Sequence, residues 1–303
     1  MKILYGTKFE NIDITKICFS QLMHNNTITI PHGDCNRGNI FTDPLPGVLK
    51  SVFIVHENDT TEYSDAFTIK INTLDNVITR IDENKEIDII DNKINDIHSK
   101  LQFRYGNMKE ELPEQKMAIR YLTGNEKVLE IGGNVGRNSL VIASILGEKN
   151  NNNLVVLESD PDIANQLKEN RDINNMNFHI EPSALSKRKL IQRGWDTFPS
   201  DEVLPGYKSI NTISLDELHS KYNIQFDTLV LDCEGAFYYI LLDMPNSLEN
   251  INLIIMENDY HDINKKKYVD FMLTENHFYR DYVEGGGWGP CQSYFFEVWK
   301  RFT

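Results

Sequence analysis

Two short stretches set acidic side chains at the ends of apolar runs. "LVLDCEG" places Asp232 and Glu234 two residues apart, and "LIIMENDYHD" places Glu257, Asp259 and His261 at the same spacing. Alternate residues of a strand share a face, so Asp232 and Glu234 can look toward one pocket. One of these carboxylates, or His261, could take a proton from a hydroxyl as general base. Asp232, Glu257 and Asn258 could instead hold a hard cation such as Mg²⁺, which would acidify a bound hydroxyl. Blander readings stand beside these: His261 as a solvated histidine before a helix cap, Glu257 as a capping or ion-pairing residue. Cys233 alternates away from Asp232 and reads as packing.

A third stretch, "VLEIGGNVGRNS", is an apolar run that breaks into a glycine-rich turn and restarts as a helix. Unsatisfied N–H groups at a helix start suit a polar ligand, and glycines let backbone approach it with positive φ. The dinucleotide fingerprint G-x-G-x-x-G ending at Gly136 needs glycine at position 131, which is Ile131. What stands here is E-x-G-x-N-x-G, from Glu130 through Gly132 and Asn134 to Gly136. An acid before the turn repels a pyrophosphate and suits an ammonium group. About 20 residues on, Glu158 ends the next strand, where α/β nucleotide sites keep a carboxylate for ribose hydroxyls. "ESDPD" then opens a helix with Asp160 as N-cap and Pro161 at its first position. An ammonium at the first turn and a ribose at the second strand together describe S-adenosylmethionine. Methyl transfer from its sulfonium is an in-line displacement in which protein groups chiefly orient the reactants.

The elements that must hold these residues follow from the pattern. Residues 1–80 carry short β-branched or aromatic runs ("ITIPHGD", "LKSVFIVHEN", "AFTIKINTL") between Pro, Gly, Asn and Asp turns, which predicts a small all-β domain. Residues 81–111 read as a helical linker, with Ile87, Ile90, Ile94, Ile97 and Leu101 at helical spacing. From 112 to 303 helices and strands alternate, which predicts an α/β domain with a mainly parallel sheet. Residues 186–211 read as a long irregular stretch. The terminal "HFYRDYVEGGGWGPCQSYFFEVWKR" reads as an antiparallel hairpin around a glycine-rich loop. Trp288 in that loop could stack on an acceptor, and Trp195 lies where a cover would sit; either could simply pack. His32, Asp34 and Cys35 have metal-ligand types but no partner spacing, so a turn is expected.

Composition narrows the classes. The 303 residues are 40% hydrophobic and 25% charged, as in globular proteins. A net charge of −14 argues against a nucleic-acid partner, because such binding rests on Lys and Arg neutralising phosphates. The four cysteines form no C-x-x-C pair, which fits neither a zinc cage nor a disulfide framework. The start lacks a signal-peptide core and no apolar run reaches ~18 residues, so no membrane span and a cytoplasmic location are expected.

With those residues in view, about 112 to 300 resembles the FkbM family of S-adenosylmethionine-dependent methyltransferases, of the class I fold. The resemblance is carried by "VLEIGGNVGRNS", "VVLESDPDIANQLKENRDIN", "IEPSALSKRK", "INTISLDEL", "LVLDCEGAFYYIL" and "LIIMEND", in that order. The chain departs in "GGN" for the family's commoner "GAN" and "ESDPD" for "EPDP"; neither removes a polar group that the cofactor needs. The resemblance implies a Rossmann-like sheet of seven mostly parallel strands with a C-terminal antiparallel hairpin. It implies methyl transfer to a hydroxyl of a sugar, nucleotide sugar or glycan. It would set the methionine part on Glu130, Gly132, Asn134, Gly136 and Asn138, the ribose on Glu158 beside Ser159, and the adenine by Ser183 and Ala184. Asp232 would face both cofactor and acceptor. The first 110 residues lie outside the match and look like a β module for dimerisation or acceptor docking. The whole arrangement resembles proteins of giant DNA viruses, which make their own surface glycans; that origin would put it in the host cytoplasm. Alternatives are a nucleic-acid or protein methyltransferase on the same fold, an NAD-dependent sugar oxidoreductase, disfavoured by Ile131, and an inactive glycan-binding scaffold.

Overall fold

The computed structural model describes residues 1–56 and 59–302. It divides into two compact units, Met1–Asp91 and Asn92–Thr303.

The first unit holds two four-stranded antiparallel sheets. One is ordered Asn11–Asp13, Lys2–Gly6, Ser51–His56, Asp59–Tyr63, the other Met23–His24, Thr27–Ile30, Phe67–Asn72, Ile78–Asp82. Alternation puts Ile3, Tyr5, Val52 and Ile54 of one sheet and Ile28, Ile30, Ile69 and Ile71 of the other into a single core. Two short helices, Thr15–Gln21 and Asp34–Phe41, accompany the strands. The stretch expected to be a turn around His32 continues into the second of these. Asp34 there accepts the Tyr5 hydroxyl proton at 2.7 Å and pairs with buried Lys50 at 3.0 Å.

The linker residues form helix Glu83–Lys100, of which Ile90, Ile94 and Ile97 are buried and Ile87 is exposed. Residues 101–111 are irregular yet tied down by the side chains of Glu169, Asn170 and Asn174. Asn170, fully buried, accepts the Arg104 and Tyr105 N–H groups at 2.8 and 3.2 Å. Its amide donates to the carbonyls of Tyr105 and Val135 at 2.9 and 2.8 Å.

The second unit is built on a seven-stranded sheet. Its strands are β1 (Val128–Ile131), β2 (Leu154–Leu157), β3 (His179–Glu181), β4 (Thr228–Leu231), β5 (Leu253–Glu257), β6 (Phe278–Glu284) and β7 (Phe296–Arg301). The order is β3-β2-β1-β4-β5-β7-β6, with only β7 antiparallel to its neighbours. Strands β1, β2 and β4 are buried along their whole length, which is why they read as short apolar runs. This is the doubly wound, mostly parallel α/β sheet with a C-terminal antiparallel hairpin that the sequence led us to expect. The intervening helices are α1 (Leu112–Tyr121), α2 (Arg137–Gly147), α3 (Pro161–Ile173), α4 (Leu215–Tyr222), α5 (Phe237–Asp243) and α6 (Ile263–Glu275). Asp160 accepts the Asp162 and Ile163 N–H groups at the start of α3, as expected, and at α4 Ser214 with Glu217 forms a capping box not anticipated from the sequence.

One stretch departs from expectation. Residues 186–211 contain a small antiparallel sheet ordered Asp196–Pro199, Leu190–Arg193, Lys208–Ile210. Its strands are only three or four residues long and carry Lys, Arg, Asp and Gln, so no alternation was visible in the letters.

Candidate functional site

Strand order reverses between β1 and β4, and in such sheets ligands sit beyond the carboxyl ends at that point. There the second unit has a cavity of about 480 Å³, a size that suits a small-molecule ligand. Its floor is Ile131, Gly132, Asn134, Leu157, Glu158, Ser159, Ser183 and Ala184. The inserted sheet adds Gln192, Trp195 and Thr197, and the C-terminal hairpin adds Trp288 and Phe296.

The glycine turn is shaped by the protein's own packing. At Gly132, with φ of +92°, a Cβ would stand 1.6 Å from the Asp232 carbonyl oxygen. At Gly136, with φ of +95°, a Cβ would stand 2.3 Å from Leu167 of α3. Glycine therefore lets the β1 turn close against the end of β4, which brings Asn134 and Asp232 to one cavity. The Asn134 N–H donates to Glu158 Oε2 at 2.9 Å and the Asp160 N–H to Oε1 at 2.8 Å. Each oxygen keeps capacity for another donor. Burial raises the Glu158 pKa above the ordinary carboxylate range, against the pull of these N–H groups. Ser183 donates to Glu181 at 3.0 Å, and Ser159 accepts from Gln192 Nε2 at 3.0 Å. Gln192, a residue the sequence did not suggest, keeps its buried Oε1 without a partner among the described residues.

The other end is acidic. Asp232, Glu257 and Asp259 each bring a carboxylate oxygen within 4.8 Å of the others, the spacing of a possible metal-ligand set. Glu114 of α1 makes side-chain contact with Glu257. Burial raises the pKa of Asp232 well above its ordinary value, and the charges of Glu111, Glu114, Asp259 and Glu234 add to it. Glu257 is pushed up to about 11 by burial and by the neighbouring Asp232, Glu114 and Asp259. Burial likewise raises Asp259 and Glu234. In all, Glu111, Glu114, Glu158, Asp232, Glu234, Glu257 and Asp259 line the cavity, and no Lys, Arg or His among the described residues does.

Of the residues given a cofactor, catalytic or metal role in the sequence, Gly132, Asn134, Glu158, Ser159, Ser183, Ala184, Asp232, Glu234, Glu257 and Asp259 line this cavity, and Glu130, Gly136, Asn138, Asn258 and His261 do not. Glu130 precedes Ile131 on β1; Ile131 faces the cavity, so strand alternation turns Glu130 the other way. It is buried beside Ser139 of α2, and burial pushes its pKa up to about 8. Gly136 packs on Leu167, and Asn138 is buried in the first turn of α2. Asn258 is fully buried; its amide donates to the Tyr294 carbonyl at 2.7 Å and its N–H to that of Phe295 at 2.8 Å. Asp259, one residue on, takes the place expected of Asn258 in the acidic cluster. His261 is exposed and its ring lies 4.4 Å from that of Trp288. Cys233 lines the cavity as well as packing on the core, and burial pushes its thiol up to about 12. Glu111 and Glu114 went unnoticed in the sequence. Arg137 anchors Glu111 at 2.7 Å.

Neither a protein-family model nor a curated protein matches the chain. Solved structures resemble it in fold. A ribosomal-protein methylase from Lactobacillus delbrueckii subsp. bulgaricus is 11% identical with a TM-score of 0.42, over 67% of this chain and 84% of that one. An O-methyltransferase from Bacillus cereus, in complex with SAH, is 13% identical with a TM-score of 0.38, over 69% and 89%. The methyltransferase FkbM from Methylobacillus flagellatus is 9% identical with a TM-score of 0.41, over 69% and 58%. At such identities no residue role passes from those proteins to this one. No helix among the described residues is long and apolar enough to cross a membrane.

Proposed function

We propose that the chain is an S-adenosylmethionine-dependent methyltransferase of FkbM type, with a hydroxyl of a sugar or glycan as acceptor and Met1–Asp91 as its accessory unit. The observation that carries this reading is the charge of the cavity. A lining with seven carboxylates and no basic side chain suits a ligand that bears an ammonium and a sulfonium. It repels the pyrophosphate of NAD, and it equally disfavours the diphosphate of a nucleotide sugar at the acidic end. Glu158, oriented by two backbone N–H groups, has the remaining acceptor capacity for a ribose diol. The adenine would lie among Leu157, Ala184, Leu185 and Leu190, and the methionine part would run past Asn134 toward Asp232. The acceptor would enter beside Trp288 and Trp195, whose exposed rings suit the apolar face of a sugar. A sugar hydroxyl needs help to lose its proton near neutral pH, and the cluster around Asp232 and Glu257 is where that help would come from.

The test is calorimetric titration of the full chain and of Glu158→Ala with S-adenosylhomocysteine and with NAD. The proposal expects the homocysteine compound alone to bind, with loss in the variant. NAD binding, or binding of neither, would overturn it. With the cofactor secured, sugars and glycans screened by mass spectrometry for added methyl groups would identify the acceptor.

A further inference from the structure

The acidic end of the cavity brings together carboxylates that must share protons or a cation. Glu257 has the Glu114 side chain on one side and that of Asp259 on the other. Asp232, Glu257 and Asp259 have oxygens within 4.8 Å of one another. Ionised carboxylates carry acceptors only, so contacts among them require a proton or a cation in between. Of the neighbouring positive groups, Arg137 is bound by Glu110 and Glu111, and His261, whose charge reaches Asp259, lies against Trp288 outside the lining. Glu114 supplies an independent sign. It is only 7% exposed, it lines the same cavity, and its Oε2 is sealed from solvent with no hydrogen-bond partner among the described residues.

We infer that Asp232, Glu257 and Asp259 bind a hard divalent cation, with Glu114 behind Glu257 as the residue that positions it. The donor set is oxygen throughout, which selects Mg²⁺, Mn²⁺ or Ca²⁺ over the nitrogen- and sulfur-seeking metals. Opposite ligands of Ca²⁺ stand about 4.6–5.2 Å apart and those of Mg²⁺ about 4.0–4.2 Å. Three oxygens within 4.8 Å of one another can reach one such ion, and this limit does not choose between the two. The strands explain the geometry: Glu257 and Asp259 share a face at the end of β5, and Gly132 lets the first turn pack on the backbone that carries Asp232.

The role assigned to the cation rests on the methyl-transfer reading. An acceptor hydroxyl on the ion becomes more acidic, and its proton passes to a cluster carboxylate. The oxygen then bonds to the methyl carbon as the carbon–sulfur bond breaks, the electron pair staying on sulfur to give S-adenosylhomocysteine.

The experiment is electron paramagnetic resonance titration of the chelator-treated full chain with Mn²⁺. We expect one saturable site, competed by Mg²⁺ and Ca²⁺. Asp259→Asn and Glu257→Gln should each weaken it by about 10- to 100-fold or more, and Glu114→Gln by a smaller factor. These replacements keep shape, and circular dichroism checks that each variant folds. No saturable Mn²⁺ binding by the wild type overturns the inference. So does Mn²⁺ binding that none of the three substitutions alters. S-adenosylhomocysteine binding, measured separately, keeps the two readings apart: a chain that binds it but not Mn²⁺ loses the cation and keeps the transferase site.

Discussion

Replacing Glu130 with Gln tests the placement of the acid that the glycine turn made most conspicuous. In the folded chain this carboxyl is 3% exposed, and burial lifts its pKa from 4.5 to about 8. Below pH 4.5 the folded and unfolded chains both hold the proton, and its contribution to stability is fully present. Between 4.5 and 8 the folded chain keeps a proton that the unfolded chain releases, so stability declines as pH rises. Each unit is worth about 1.36 kcal/mol, so the loss is about 3 kcal/mol at pH 7 and levels off above pH 8 at roughly 5 kcal/mol. Glutamine has the same shape and no charge to lose. Glu130→Gln should match the wild type near pH 4.5 and exceed it by about 3 kcal/mol at pH 7. Urea unfolding followed by tryptophan fluorescence is the assay, since Trp195, Trp288 and Trp299 all belong to the second unit. Affinity for S-adenosylhomocysteine should not change, because Glu130 does not line the cavity. A stability difference that stays flat from pH 5 to 8 would refute the buried, proton-holding state. A large loss of affinity would refute the facing.

Three further outcomes follow from single contacts. Gly132→Ala puts a methyl 1.6 Å from the Asp232 carbonyl oxygen, a backbone atom that cannot swing aside; thermal melting should show a loss on the order of 3 kcal/mol or more. Lys266→Met removes the ammonium that stands 2.8 Å from the fully buried Glu297, which keeps Arg280 at 3.1 Å and the Trp299 N–H at 3.0 Å; urea unfolding should show a loss of about 1–3 kcal/mol, less than that of a charge left without a partner. Trp288→Ala should raise the acceptor KM in a methyl-transfer assay and leave S-adenosylhomocysteine affinity unchanged, because the ring is exposed at the rim contributed by the C-terminal hairpin.

What could be read from the letters depended on whether a signal was local. The short apolar runs of β1, β2, β4 and β5 are local, because strands buried on both faces need no alternation. The cap at Asp160 is local too, as is Glu158 at a strand end. Gln192 was invisible because its strand is short and polar. Glu111 and Glu114 were invisible for another reason. Their place depends on Asn170 tying down residues 101–111 and on Arg137 holding Glu111, contacts between segments far apart in the chain. An acidic "KEELPEQK" says nothing of what lies across from it.

Facing was the hardest to read, and Asn258 shows why. The run "LIIMEND" announces a strand with polar residues at its end, but not which parity looks into the cavity. A one-residue shift turns every side chain to the other face. Exchanging the two residues, Asn258→Asp with Asp259→Asn, leaves composition and net charge unchanged, so any effect comes from position alone. The exchange puts a carboxylate where the Asn258 amide donates to the Tyr294 carbonyl at 2.7 Å. A donor is lost, and two acceptors face each other at a site with no exposure. The lost hydrogen bond and its unsatisfied partner cost about 1–3 kcal/mol, and a buried charge adds to that. The exchanged chain should therefore melt at clearly lower temperature than Asp259→Asn alone, which leaves Asn258 in place. Equal melting temperatures would mean that the end of β5 tolerates either facing, and the separation of Asn258 from Asp259 would lose its physical basis.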